Sequence, residues 1–283
     1  MAPEFLCNLL IPGAAKSGTS SLHAALDRHP KISMSLPKEP QFFSFDDAFA
    51  RGSALHNSFF KKSASARYYG ESSQSYFAHP WAIERIRSTL RQPKAIIILR
   101  HPVDRLLSQY RWNYKRATET ASLEDAIAQR GESVDYLFDS RINMFREVGG
   151  YVAFSRYSTW VPLWRTTLGD HNVLLIKFGD FIRNQAGTVR RCFRFLGVED
   201  FHFSETAQEN ATDRTTIQVV PRQYRLLSQL LPAVVKRSSM YARLRHTMVE
   251  RLTPDPVTSL DSSLQIHLEN ALREDIRFFD ELG

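Results

Sequence analysis

A chain of 283 residues with 43% hydrophobic and 24% charged residues has the apolar material for a buried core, which excludes a disordered chain. Its two cysteines exclude a disulfide-built scaffold, and no apolar run reaches the roughly 20 residues of a membrane span. A net charge of +7 favours an anionic ligand without separating a nucleotide, a sulfated sugar and nucleic acid.

The apolar run Leu6 to Ile11 predicts a first strand over 5–12, and a helical pattern opens at Thr19 and runs to 28. Between them lies Pro12-Gly13-Ala14-Ala15-Lys16-Ser17-Gly18. Strand, small-residue loop and helix N-terminus form the local geometry that binds phosphate, because backbone N–H groups at the helix start point at the anion. Gly13 and Gly18 let the backbone approach, and Ser17, Thr19, Ser20 and Ser21 add hydroxyls. The loop departs from the triphosphatase pattern G-x-x-x-x-G-K-S/T. Thr19 stands where that lysine belongs, and the cation is Lys16.

A loop through Lys38-Glu39 leads to a strand at 67–71, a helix at 79–90 and a strand at 94–100. The continuous apolar run Ala95-Ile96-Ile97-Ile98-Leu99 is that of a parallel strand buried on both faces. Arg100 ends it, and Pro102 opens a helix over 102–117, where its missing N–H costs nothing. Ser108 sits about two turns into that helix. An arginine at the carboxyl end of a parallel strand can grip phosphate with paired hydrogen bonds. Helices are predicted near 122–130, 134–147 and 151–167, a strand at 172–178, and helices at 179–184 and 186–196. Segment 198–220 is polar and aperiodic and reads as a surface loop. Helices are predicted again at 221–228 and 259–282, the last with an apolar stripe at Leu264, Leu268, Leu272, Ile276 and Phe279. Cys7 and Cys192 lie on apolar segments and read as buried free thiols. The alternation of strands and helices predicts an α/β fold, a parallel sheet flanked by helices.

The pair K-x-G-T-S/T-x-L, here from Lys16 to Leu22, and R-N/H-P-x-x-R-x-x-S-x-Y, here from Arg100 to Tyr110, resembles the sulfotransferases that use 3′-phosphoadenosine 5′-phosphosulfate (PAPS). Pro37-Lys38-Glu39-Pro40-Gln41-Phe42-Phe43 resembles the K-E-x-x-F-F segment of the heparan-sulfate-type branch. The resemblance runs from about Phe5 to Gly197. It implies one sulfotransferase domain over 1–283 with a P-loop-like nucleotide-binding fold, a core at about 5–197, and residues 198–283 covering the nucleotide.

The resemblance also implies site residues. Lys16, Ser17, Gly18, Thr19 and Ser20 would bind the 5′-phosphate side, Arg100 and Ser108 the 3′-phosphate, and Arg214 would be a further contact. Lys16 would stabilise the leaving phosphate. Glu39 would be the base for the acceptor, with Phe42, Phe43 and Phe45 as apolar walls. His23, His29, His79 and His101 are the histidines of the matched region, and a histidine stays open as an alternative base. Ser72 and Gln74 stand where the heparan enzymes often have lysine and proline, which weakens the case for a heparan acceptor. Glu71 reads as a structural acid.

The product would be adenosine 3′,5′-bisphosphate (PAP), with no metal required. The acceptor would be a small molecule or a glycan rather than nucleic acid. The N-terminus lacks a basic start followed by a long apolar stretch, so a soluble, bacterial-type cytoplasmic enzyme is expected rather than an anchored one. The competing readings are an ATP-using P-loop kinase, which Glu71 as a metal-binding acid would favour, and a non-enzymatic basic module for polyanions.

Overall fold

The computed structural model describes residues 4–115, 118–119, 121–139, 144–201 and 261–282. In chain order its elements are β1 (Leu9–Leu10), α1 (Thr19–Leu26), β2 (Ile32–Met34), α2 (Asp46–Ala50), α3 (Gly52–Asn57), β3 (Tyr68–Glu71), α4 (Pro80–Thr89), β4 (Lys94–Leu99), α5 (Pro102–Lys115) and α6 (Leu123–Arg130). Then come β5 (Val134–Asp139), β6 (Met144–Gly149), α7 (Tyr157–Leu168), β7 (Val173–Lys177), α8 (Phe178–Arg183), α9 (Gln185–Leu196), α10 (Ser262–Ala271) and α11 (Arg273–Asp280). The described residues form two compact units. The first holds 4–105, 153–201 and 271–282, and the second 106–152 and 261–270.

The first unit is built on a parallel five-stranded sheet in the order β2-β3-β1-β4-β7. The chain leaves β1 toward β2 and β3 on one side and then crosses to β4 on the other. The carboxyl end of β1 is therefore a topological switch point, where open α/β sheets bind ligands. Although β1 is assigned only two residues, strand-like bonding runs further, from Asn8 N donating to Tyr69 O (3.0 Å) to Ile11 N donating to Glu71 O (2.8 Å).

Alternation along the strands sorts the core. Leu9, Ile11, Ile96, Ile98 and Ile176 face Leu22, Ala25 and Leu26 of α1 and Phe181, Val189, Cys192, Phe193 and Leu196 of α8 and α9. Ala95, Ile97 and Leu99 point to the opposite face and are equally buried. Asn184 caps α9 by accepting from Gly187 N (2.8 Å), and Gly197 ends it in the left-handed region at φ 64°. Both cysteines are buried free thiols, as expected, and burial pushes the Cys192 thiol up to about 12.

The second unit departs from the sequence reading. Within 134–147, expected as a helix, the described residues 134–139 and 144–147 belong to the antiparallel strands β5 and β6, with Val134 opposite Gly149 and Asp139 opposite Met144. The stretch Val134-Asp135-Tyr136-Leu137-Phe138 is rich in residues that suit a pleated surface, and its pairing partner lies beyond the reach of a local pattern. Here Glu119, almost fully buried, accepts both nitrogen–oxygen contacts from Arg130 Nη2 (2.6 and 2.7 Å) and one from the Tyr151 hydroxyl (2.9 Å). Three more differences are local. The helix expected over 151–167 starts at Tyr157, behind a short 3-10 turn at Ala153–Ser155. The helix expected over 259–282 is two helices meeting at Leu272. Strand β2 and helices α2 and α3 lie where only loop was expected.

Candidate functional site

The phosphate-type loop is held by both its backbone and its neighbours. Ala14 N donates to Ile98 O (2.7 Å) and Ile98 N donates to Gly13 O (2.9 Å), so the loop continues the bonding of β1 onto β4. Gly13, Lys16 and Gly18 have φ of 157°, 64° and 89°. Successive positive and negative φ turn consecutive N–H groups toward one side, the concavity that receives an anion. No side-chain cap closes the N-terminus of α1. The N–H groups of its first turn directly follow the loop, where the end of a helix favours an anion.

Gly18 is required twice over. Its φ lies in the left-handed region, and a Cβ there would stand 2.7 Å from Cε2 of Phe178. Gly18→Ala is therefore expected to destabilise the protein by about 1–3 kcal/mol, read from urea unfolding. Wild-type stability in that variant would show that the loop is not built as described.

Arg100 follows β4, half-buried, with its guanidinium carbon 5.5 Å from the centre of the Phe178 ring. That ring thus lies against both Gly18 and Arg100. A second link joins the same two motifs. The buried Tyr157 hydroxyl donates to Arg100 O (2.8 Å) and lies beside the Ser17 side chain, whose own hydroxyl donates to Ala15 O (3.5 Å). Burial pushes the phenol well above its usual pKa, and the nearby Arg105 and Arg100 charges pull against that. Helix α11 closes the neighbourhood: Asp275 accepts from Ser158 N (2.9 Å) at the start of α7, and the Phe279 ring lies 5.9 Å from that of His101.

Glu39 also reaches the loop. Its carboxylate pairs with Lys38 Nζ at 2.5 Å, with both side chains largely buried, and Lys38 Nζ in turn donates to Thr19 Oγ1 (3.4 Å). One helix turn further along α1, His23 Nδ1 lies 2.9 Å from Ser72 Oγ. Burial first, and the Lys38 charge second, push the His23 imidazole down to about 4. It is neutral at physiological pH and sits beside the Lys38–Glu39 segment, a placement the sequence did not reveal.

Several of the other expected residues belong to the core of the first unit. Phe42 and Phe43 are fully buried and pack with Phe5, Phe49 and His56, so they belong to an aromatic core rather than to acceptor walls. His79 is buried, bonded through Nδ1 to Ser75 O and packed on Trp81. His29 is buried and bonded to Glu199 O (3.0 Å) and Lys31 N (3.1 Å). Both are structural. Ser108 is buried on α5 in the second unit, and Arg214 lies outside the described residues.

Glu71 is fully buried. Its carboxylate accepts from Ser73 Oγ (3.3 Å) and Tyr76 Oη (3.1 Å) and lies 3.1 Å from His56 Nε2. Those partners make it a core acid, not one facing a nucleotide, and remove the feature that favoured a kinase. Cys7 joins His56 and Glu71 within 4.8 Å. Within this trio only His56 and Glu71 are hydrogen-bonded to each other, while the Cys7 thiol donates to Leu9 O (3.5 Å).

A family model for the sulfotransferase domain matches residues 7–250, most of the chain. This chain belongs to the sulfotransferase family. Among its curated relatives, human heparan sulfate glucosamine 3-O-sulfotransferase 6 is 27% identical over 199 residues, covering 69% of this chain and 54% of the relative. The membrane-associated sulfotransferase kil1 of Dictyostelium discoideum is 33% identical over 115 residues, 39% of this chain and 24% of that protein. The chain thus spans about half or less of the length of these relatives. A solved sulfotransferase from Alicyclobacillus acidocaldarius is 28% identical with a TM-score of 0.61, covering 86% of this chain and 100% of that one. A mouse sulfotransferase solved in complex with PAP shares the fold at 14% identity and a TM-score of 0.52, covering 97% of this chain and 85% of that one. Among the described residues of this sulfotransferase, no helix is long and apolar enough to cross a membrane.

Proposed function

We propose that this sulfotransferase moves a sulfuryl group from PAPS to a hydroxyl or amine of a small-molecule or glycan acceptor, without a metal. One observation carries the reading: the loop, Arg100 and Glu39 gather in one place, with the Phe178 ring against both Arg100 and Gly18 and Lys38 joining Glu39 to Thr19. The residues suit the donor. The loop offers turned N–H groups with no acidic side chain between Pro12 and Leu22. The donor, when bound, supplies an activated sulfuryl group on a phosphate leaving group.

The protein's part is to hold charge and move one proton. Lys16 and the loop N–H groups stabilise negative charge on the 5′-phosphate as the bond to sulfur breaks, and Lys16 can also donate a proton there. Arg100 grips the 3′-phosphate. Glu39 takes the proton of the acceptor as its oxygen or nitrogen attacks. Lys38, already between Thr19 and Glu39, holds the base beside the donor loop.

The test is calorimetry and turnover in EDTA. PAP is expected to bind well and ATP poorly with the metal removed, because fixed cations supply the charge that magnesium supplies in a kinase. Labelled PAPS is offered with 2-naphthol, octanol or glucosamine, and transfer is expected to persist in EDTA. Loss of transfer on chelation with rescue by magnesium, together with tight ATP binding, would overturn the reading.

A further inference from the structure

Glu71 is a fully buried acid that the proposed chemistry does not use, yet it lies under the segment that carries Glu39. The segment is stitched to β3 and the turn after it at several points. Ser35 N donates to Gly70 O (2.8 Å), Ser72 N to Lys38 O (3.3 Å), and Ser44 Oγ to Ser75 Oγ (2.8 Å). Two further bonds pass through hydroxyls that Glu71 holds. Gln41 N donates to Ser73 Oγ (3.0 Å), and Phe43 N donates to Tyr76 Oη (3.2 Å). Both hydroxyls donate their own proton to Oε2 of Glu71. Gln41, between Glu39 and these anchors, has φ 53°, a left-handed conformation that a non-glycine residue keeps only where its surroundings impose it.

We infer that Glu71 is a positioning residue for Glu39, acting through Ser73 and Tyr76; this rests on the reading of Glu39 as the base. The physics is one of polarity. A hydroxyl can donate one proton and accept two, so its direction is set by its neighbours. A carboxylate only accepts. It draws both hydroxyl protons to itself and turns both oxygens' lone pairs toward the N–H groups of Gln41 and Phe43. Burial keeps the Tyr76 phenol protonated by pushing its pKa well up. Glutamine in place of Glu71 removes the charge that draws both hydroxyl protons to Oε2, and its NH2 must take the place of one of the two oxygens, against either the hydroxyls or His56 Nε2.

The experiment uses the whole chain with labelled PAPS and whichever of 2-naphthol, octanol and glucosamine it sulfates. Glu71→Gln, Tyr76→Phe and Ser73→Ala are each placed in the wild-type and Glu39→Gln backgrounds. In the wild-type background Glu71→Gln and Tyr76→Phe are expected to lose about 10- to 100-fold in turnover, the scale of a base displaced by about an ångström. PAP affinity should stay within about 2-fold of wild type, since the donor loop does not depend on these bonds. In the Glu39→Gln background the same changes are expected to cost nothing further, because there is no base left to misplace. Amide exchange over 38–45 should speed up, and over 19–26 should not. A purely structural role would lower both backgrounds alike. Where Glu71→Gln fails to fold, the two single-hydroxyl variants carry the test. Unchanged turnover in these variants, or an equal further loss on top of Glu39→Gln, would overturn the inference alone. Full turnover in Glu39→Gln itself would overturn the base reading and this inference with it.

Discussion

Glu39→Gln is expected to cut turnover by roughly 100-fold or more while PAP affinity stays near that of the unmutated protein. The substitution keeps shape and hydrogen-bonding capacity but cannot take a proton. It also discharges the partner of Lys38, which lies 2.5 Å away and also contacts Thr19. Loss of turnover with intact donor binding is the mark of a group used on the way to the transition state. A second acceptor makes the assignment sharper. One more acidic than the working acceptor needs less help losing its proton, so it should recover part of the loss. If Glu39→Gln keeps full turnover, the base is elsewhere, and the geometry names His23. It is neutral, partly buried and bonded to Ser72 beside the same segment. His79 and His29 are already spent on backbone oxygens.

The parts of this protein that were legible in the sequence are those whose cause is local. The loop from Gly13 to Gly18 declares itself through glycine spacing and a following helix start. Strand β4 declares itself through five consecutive buried apolar residues, and Pro102 marks the start of α5. Strand β2 has three residues, too few for any period, and exists because Ile32 to Met34 pair with Tyr68 to Gly70. Strands β5 and β6 exist because they pair with each other, which composition alone left open to a helix. The site divides in the same way. Residues of the two phosphate-type motifs could be named from spacing. Tyr157 could not, since nothing near it in sequence says that its hydroxyl will reach both Ser17 and Arg100. The exchange of Phe42 and Phe43 from acceptor walls to core has the same origin: only the fold brings Phe5, Phe49 and His56 around them.

The largest effect on binding is expected at Arg100. PAP and AMP differ by the 3′-phosphate alone, so the ratio of their affinities isolates the group that recognises it. The unmutated protein should prefer PAP strongly. Arg100→Ala should remove most of that preference, about 2–4 kcal/mol for a charge pair drawn out of water, or roughly 30- to 1,000-fold. AMP affinity should barely change, because the 5′-phosphate keeps its loop. Tyr157→Phe supplies the companion measurement. It leaves the Arg100 charge in place and deletes only the hydroxyl that donates to Arg100 O beside Ser17. PAP should then weaken by about 1 kcal/mol, the net worth of a typical buried hydrogen bond, and AMP should weaken too, since the tie serves both ends of the nucleotide. The two variants thus separate recognition from assembly: one acts on the PAP-to-AMP ratio, the other on both ligands together. Equal binding of PAP and AMP by the unmutated protein would remove Arg100 from the nucleotide site. It would also take away the reason that Tyr157 links that strand end to the loop.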